Sequence, residues 1–357
     1  MDYVTLGRTG LKVSVAGLGC GGFSRLGLGT GKSEADAVAL VRQAFDLGVN
    51  IFDTAAAYGT EAALGKAIKG VPRDSVVIAT KAWLPHREGR GAAERAVRSL
   101  DNSLRQLDTD YVDIFQLHGV MPDAYEQARD VIAPALLKER DKGKLRFLGV
   151  TEAASEDAEH AMLARAVEDG AWDTAMLAFH MMHQNARAKV FPRTMANRIG
   201  TLLMFAVRNI FSQPQRLATA LQELTASRQL PRWLADAPRP LGFLLHEKGA
   251  RTITEAAYRF VRHEPGVDVV LFGTGDPEHL RANIASILSP PLPLADRQTL
   301  TKLFGHLSGV GLDPPYSMPG LSSGYNWRHA ATVRRSRDRR RRKSGRCQAN
   351  RSGRAIR

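Results

Sequence analysis

Four polar side chains fall at, or just beyond, the ends of β-type runs. Asp53 follows Asn50-Ile51-Phe52, and Tyr58 sits in the loop after it. Lys81 follows Val76-Val77-Ile78-Ala79-Thr80, and His118 follows Ile114-Phe115-Gln116-Leu117. These types can work together. A tyrosine phenol has an ordinary pKa of about 10, too high for easy proton exchange near neutrality. A lysine ammonium beside it favours the phenolate and should bring that value down. Asp53 would hold the lysine in place, and His118 could give a second hydrogen bond. Such a set can donate to an oxygen that is gaining negative charge and then supply its proton, as when hydride reaches a carbonyl carbon. No metal is needed for that chemistry. Taken residue by residue, another reading stands beside it: a buried Asp53–Lys81 ion pair, Tyr58 as a loop anchor and His118 as packing.

The elements that must carry these residues follow an alternating pattern. Residues 3–13 hold the pieces of a small hairpin, with a turn near Arg8-Thr9-Gly10. Strands are expected at 13–18, 49–52, 76–80, 111–117, 145–150, 174–178, 201–205 and 267–272, each followed by helical periodicity. Ser33 with Asp36 three residues on forms a capping box opening the first helix. Its inner stripe is Ala37, Leu40, Val41, Ala44 and Phe45, and Gly48 closes it. A helix over 125–141 carries an awkward Pro134, and another is expected over 155–169. Residues 214–262 read as helices broken by Pro231, Pro238 and Pro240, and Pro277 opens a helix to residue 288. Eight strand–helix units within residues 13–288 fit one closed (β/α)8 TIM barrel better than an open sheet. In a barrel, Asp53, Tyr58, Lys81 and His118 would meet at the top face, where active sites form.

A doubly wound dinucleotide fold fits less well. Gly17-Leu18-Gly19-Cys20-Gly21-Gly22 is followed by a long loop, and no acidic residue ends a neighbouring strand at the expected place. This segment reads as flexible loop near a ligand.

Composition bounds the remaining possibilities. The chain has 357 residues, is 44% hydrophobic and carries a formal net charge of +14. That charge is concentrated. Residues 328–357 hold thirteen Arg and Lys against one acid, a net +12, leaving +2 for the first 327 residues. The tail has almost nothing to bury and is expected to be disordered. Any binding of nucleic acid through it would be non-specific and abolished by salt. Residues 1–289 are expected to form the barrel with its hairpin, 290–327 an irregular extension with a short helix near 300–307, and 328–357 the basic tail. Two cysteines, Cys20 and Cys347, make no disulfide framework or metal cluster, so a reducing compartment is the default. No stretch approaches 18 uninterrupted apolar residues, so no membrane span is expected. The start does not read as a secretory signal, and a cytoplasmic location is expected. The oligomeric state is not readable.

The chain resembles the aldo-keto reductase superfamily, in its sugar-dehydrogenase-like branch, from about residue 3 to residue 289. The resemblance is carried by Leu6-Gly7-Arg8-Thr9-Gly10-Leu11-Lys12-Val13-Ser14 and by Asn50-Ile51-Phe52-Asp53-Thr54-Ala55 with Tyr58-Gly59. Ala79-Thr80-Lys81, Asp113-Ile114-Phe115-Gln116-Leu117-His118 and Lys144-Leu145-Arg146-Phe147-Leu148-Gly149-Val150 extend it. It implies that Asp53, Tyr58, Lys81 and His118 form the family tetrad, with Tyr58 as acid–base. It also implies an extended NADP or NAD molecule across the barrel mouth and a small carbonyl or alcohol substrate.

Other positions depart from the family pattern. Thr151-Glu152 stands where the family's Ser-Asn binds the nicotinamide amide, and Phe205 is the candidate for stacking on the nicotinamide. Gly273, Thr274 and Gly275 match the adenosine-phosphate loop, and Asn283 matches the adenine contact. Arg281 is the remaining candidate phosphate clamp, while Asp276 adds a negative charge that leans toward NAD; the family leans toward NADP. Trp83, His86, Phe23 and Trp327 could line the pocket, and Arg25 or Arg208 could favour an acidic substrate. His180 and His183 read as structural or surface residues. The departures at Thr151-Glu152 and the basic tail keep a second function open, a non-catalytic cofactor-sensing or regulatory barrel.

Overall fold

A computed structural model of the chain describes residues 1–83 and 91–312. Two short antiparallel strands, β1 (Tyr3–Thr5) and β2 (Lys12–Ser14), form the expected hairpin. Eight further strands are parallel and close on themselves in the order β10-β3-β4-β5-β6-β7-β8-β9. They are β3 (Ala16–Gly19), β4 (Ile51–Asp53), β5 (Val77–Trp83), β6 (Val112–Val120), β7 (Leu145–Glu152), β8 (Thr174–Ala178), β9 (Gly200–Met204) and β10 (Val269–Phe272). The barrel closes where Val270 of β10 pairs with Ala16 of β3. The (β/α)8 expectation holds, and residues 174–178 form a strand with the bounds read from sequence.

Two apolar layers hold the barrel. Ile51, Val77, Ala79, Ile114, Leu202 and Val269 fill its interior together with Leu6, Leu11 and Val13 of the hairpin segment. The hairpin is held in place by Arg8, whose guanidinium donates to the Gly170 and Trp172 carbonyls and pairs with Asp173. The larger layer lies between strands and helices. The helix Glu34–Asp46 shows how sequence builds it. The Ser33 hydroxyl accepts from the Asp36 N–H, and the Asp36 carboxylate accepts from the Ser33 N–H, so the capping box is real. Ala37, Leu40, Val41 and Ala44 are buried against the barrel.

Three elements differ from expectation. Pro134 is accommodated because residues 128–132 open into a π-helical turn before the helix Ala133–Asp141. Proline lacks an N–H and clashes with the preceding turn, and the wider turn relieves both. The helix expected over 155–169 is only Ala161–Ala166, because the Asp157 carboxylate accepts from the N–H groups of Ala161 and Met162 and starts it late. The segment after residue 289, expected to be irregular apart from a short helix, contains the helix Leu294–Phe304. Leu292, Leu300, Leu303, Phe304 and Leu307 belong to the main apolar layer.

Candidate active site

The four residues singled out first do meet at the C-terminal end of the strands. Asp53 ends β4, Lys81 lies in β5 and His118 in β6. Lys81 Nζ donates to Asp53 Oδ2 at 2.7 Å and to the Thr54 carbonyl at 2.8 Å. Lys81 is fully buried, and its ammonium lies 4.8 Å from the centre of the Tyr58 ring. Tyr58 Oη lies 3.4 Å from His118 Nε2. Gln116, a polar residue inside an apolar strand, donates from Nε2 to Asp53 Oδ1 at 3.3 Å. It was not singled out from sequence, although a buried amide in such a run is itself a signal.

The electrostatics correct one expectation. Burial pushes the Tyr58 phenol above its ordinary value, and the opposing pull of Lys81 does not overcome it. Tyr58 is therefore a neutral O–H donor near pH 7. Burial would lower the Lys81 ammonium, but Asp53 and Tyr58 outweigh it and hold Lys81 charged. His118 is pushed down to about 3 by burial and then by Lys81, so its imidazole is neutral. Burial, with Asp53 beside it, pushes the Cys20 thiol up, so it stays an inert thiol. These directions give a pH expectation. A group charged only below about pH 3 cannot shape a rate profile near 6.5. Any turnover should therefore show no inflection between pH 5 and 8 that is removed by His118→Asn; such an inflection would place His118 in the titrating role.

Tyr58 owes its position to Gly21. A Cβ on Gly21 would come within 2.5–2.7 Å of three Tyr58 ring carbons. Gly21 does not have a positive φ, so its role is space and not backbone conformation. Gly21→Ala should displace the Tyr58 ring and lower turnover about 10²-fold. Overpacking there should cost only about 1–3 kcal/mol of stability. Unchanged turnover in a folded Gly21→Ala variant would contradict this placement.

A cavity of about 1150 Å³ opens beside Asp53 and Tyr58. Gly19 at the end of β3, the loop after it (Gly21, Gly22, Phe23, Lys32) and the ends of β8, β9 and β10 line it. Asn283 and Ser286 of the helix Pro277–Leu288 also line it. Phe205, Gly273, Thr274, Gly275 and Asn283 line it. Phe205 has a φ of 70°, and the Arg208 guanidinium lies 4.1 Å from its ring centre. Phe23 and Arg208 also line the cavity, whereas Trp83 pairs with His118 in the β5–β6 ladder. His86, Trp327 and the basic tail lie outside the described residues.

Three of the expected cofactor-contacting residues have partners within the protein. Glu152 is buried, and its carboxylate accepts from the Ala178 N–H at 2.8 Å and meets His160 Nδ1 at 2.6 Å. Both of its carboxylate oxygens are thus engaged within the protein. Thr151 Oγ1 accepts from the Gly119 N–H at 2.7 Å. That bond lies at the register shift between Leu117 and Val120, so Thr151 braces the bulge that carries His118. Arg281 is exposed and turns back toward its own helix, with Nη1 3.4 Å from the Pro277 carbonyl. Asp276 accepts from the N–H groups of Glu278 and His279, which makes it the helix N-cap. His180 and His183 are buried, which fits their reading as structural residues.

The sequence profile of the aldo/keto reductase family matches residues 17–303. The chain belongs to that family. Among curated members, it is 28% identical to the aldo-keto reductase YhdN of Bacillus subtilis (strain 168) over 335 residues, 89% of this chain and 98% of that protein. It is 44% identical to L-galactose dehydrogenase of Arabidopsis thaliana over 158 residues, 42% of this chain. The chain spans about half, 48%, of that relative's length. The aldo/keto reductase fold is also seen in AKR11C1 of Bacillus halodurans, with a TM-score of 0.62 at 22% identity, covering 85% of this chain and 96% of that one. An aldo/keto reductase from Klebsiella pneumoniae aligns with a TM-score of 0.59 at 22% identity, covering 85% and 95%. At such identities the likeness concerns the fold alone.

Proposed function

We propose that this chain is an NAD(P)-dependent oxidoreductase that reduces an aldehyde, ketone or aldose, or oxidises the matching alcohol, with Tyr58 as acid–base. The observation that carries this reading is the Asp53–Lys81–Tyr58–His118 cluster, whose Asp53 and Tyr58 line a large cavity. The cavity volume, about 1150 Å³, exceeds the ~300–1000 Å³ usual for small-molecule sites and suits an extended ligand. Its glycine lining fits close approach of a pyrophosphate. A Cβ on Gly22, where φ is +70°, would enter open space, and one on Gly273 would stand 3.4 Å from the Gly19 carbonyl. Gly273, Thr274, Gly275, Asn283 and Phe205 would hold such a coenzyme. When bound, the nicotinamide supplies or accepts the hydride.

The chain's own residues then do the following. Tyr58 Oη donates a hydrogen bond to the substrate oxygen and passes it the proton as charge develops there. The Lys81 ammonium, held by Asp53 and the Thr54 carbonyl, stabilises the phenolate that remains. The neutral His118 orients the same oxygen beside Tyr58. In the oxidative direction Tyr58 takes the proton back by the same route. The stretch of identity with L-galactose dehydrogenase puts aldoses first among substrates to try.

The test is a fluorescence titration of the purified chain with NADPH and with NADH, followed by a turnover screen of aldehydes, ketones, aldoses and sugar alcohols. Micromolar binding of either coenzyme with turnover of at least one substrate class is expected. Binding without turnover of any class would favour the cofactor-sensing barrel. Binding of neither by folded protein would remove the coenzyme reading itself.

A further inference from the structure

We propose that Lys32, reaching over from the loop after β3, receives the 2′-phosphate of the adenosine ribose and makes this chain select NADPH over NADH. The inference rests on the coenzyme reading above. Proton transfer at Tyr58 fixes the nicotinamide at that end of the cavity. An extended dinucleotide must then place its adenosine at the other end, against the helix Pro277–Leu288. Thr274, Asp276, His279 and Asn283, in and before that helix, line the cavity, and Lys32 joins them through its bond to the Gly275 carbonyl. Lys32 and Arg208 are the lysine and arginine among the described lining residues. Arg208 lies over Phe205 at the end of β9, whereas Lys32 bonds Gly275, just before the helix Pro277–Leu288.

The lysine is already set in place. Its Nζ donates to the Gly275 carbonyl at 2.7 Å, a link across 243 residues of sequence. Its stem lies along Gly27, where an added Cβ would come within 2.9 Å of Lys32 Cδ. The backbone of Gly27 meets Gly275 so closely that a Cβ on Gly275 would stand 2.5 Å from Gly27 Cα. The two loops are thus in backbone contact, and the lysine is held between them. An ammonium has three donors, so two remain for phosphate oxygens. Asp276, the charge that would oppose a phosphate, is engaged by two N–H groups at the helix start. Its charge is offset by that helix end.

The experiment compares Lys32→Gln and Lys32→Ala with the unmodified full-length chain, titrating each with NADPH and NADH at low and high salt. Glutamine keeps a donor for the Gly275 carbonyl and removes the charge. The proposal expects Lys32→Gln to weaken NADPH about tenfold. NADH affinity should stay within about twofold, and the NADPH preference of the unmodified chain should shrink as salt is raised. Equal weakening of both coenzymes, or weakening only in Lys32→Ala, would show that Lys32 merely ties the loops together and would overturn the proposal. Equal affinity of the unmodified chain for NADH and NADPH would overturn it as well. Failure of the unmodified chain to bind either coenzyme would mark the failure of the coenzyme reading, separately from that of Lys32.

Discussion

Replacing Tyr58 by Phe is expected to lower turnover about 10²–10⁴-fold, the range for loss of a positioned acid–base group. Coenzyme affinity should change little. The substitution keeps the ring over the Lys81 ammonium, 4.8 Å from its centre, and removes only the hydroxyl that lies 3.4 Å from His118 Nε2. The burial that raises the Tyr58 phenol makes it a donor in the resting protein and leaves proton release to depend on Lys81. Steady-state rates and a coenzyme titration on the same preparation separate the two effects. Turnover within a factor of about three of the unmodified chain would remove Tyr58 from the acid–base role.

The second large effect is expected at Lys81. Lys81→Met should remove turnover to a similar extent and also destabilise the fold. The ammonium is fully buried and bonds Asp53 at 2.7 Å, so methionine leaves a buried carboxylate with Gln116 at 3.3 Å as its remaining donor. Breaking a buried pair on one side costs about 3–5 kcal/mol. Burial already pushes the Asp53 carboxyl up, with Lys81 and then Gln116 opposing. Without Lys81 the folded state should hold that proton to higher pH than the unfolded chain, so the variant loses stability as pH rises. Thermal melts should show its deficit smallest near pH 5 and largest above neutrality. Adding Asp53→Asn should recover most of the stability and none of the turnover. A variant as stable as the unmodified chain at pH 8 would contradict the buried ion pair.

Much of the site is legible in the sequence because strand ends are. Asp53, Lys81 and His118 each follow a β-branched or apolar run, and a closed parallel barrel brings neighbouring strand ends together. The glycines at 273 and 275 are legible for a similar reason, since they sit between the last strand and a helix opened by Pro277. What sequence does not carry is where a side chain turns once its neighbours arrive. Glu152 follows Thr151 at the end of β7, yet its carboxylate reaches the Ala178 N–H of β8 and His160. Arg281 lies one turn into its helix and turns back toward it, while Lys32 comes from a loop more than two hundred residues away. Asp276 looks like a charge facing a phosphate until its two N–H partners are seen. Gly21 reads as one of several loop glycines, and its role emerges only from the ring packed against it.

Label transfer reads hydride transfer beside Tyr58 itself. The full-length chain would be incubated with a carbonyl panel, aldoses included, and with NADPH or NADH carrying deuterium on both C4 positions of the nicotinamide. A product alcohol with deuterium on its carbinol carbon is expected, and loss of that product in Tyr58→Phe. Tight binding of the labelled coenzyme with no deuterated product from any carbonyl class would contradict it.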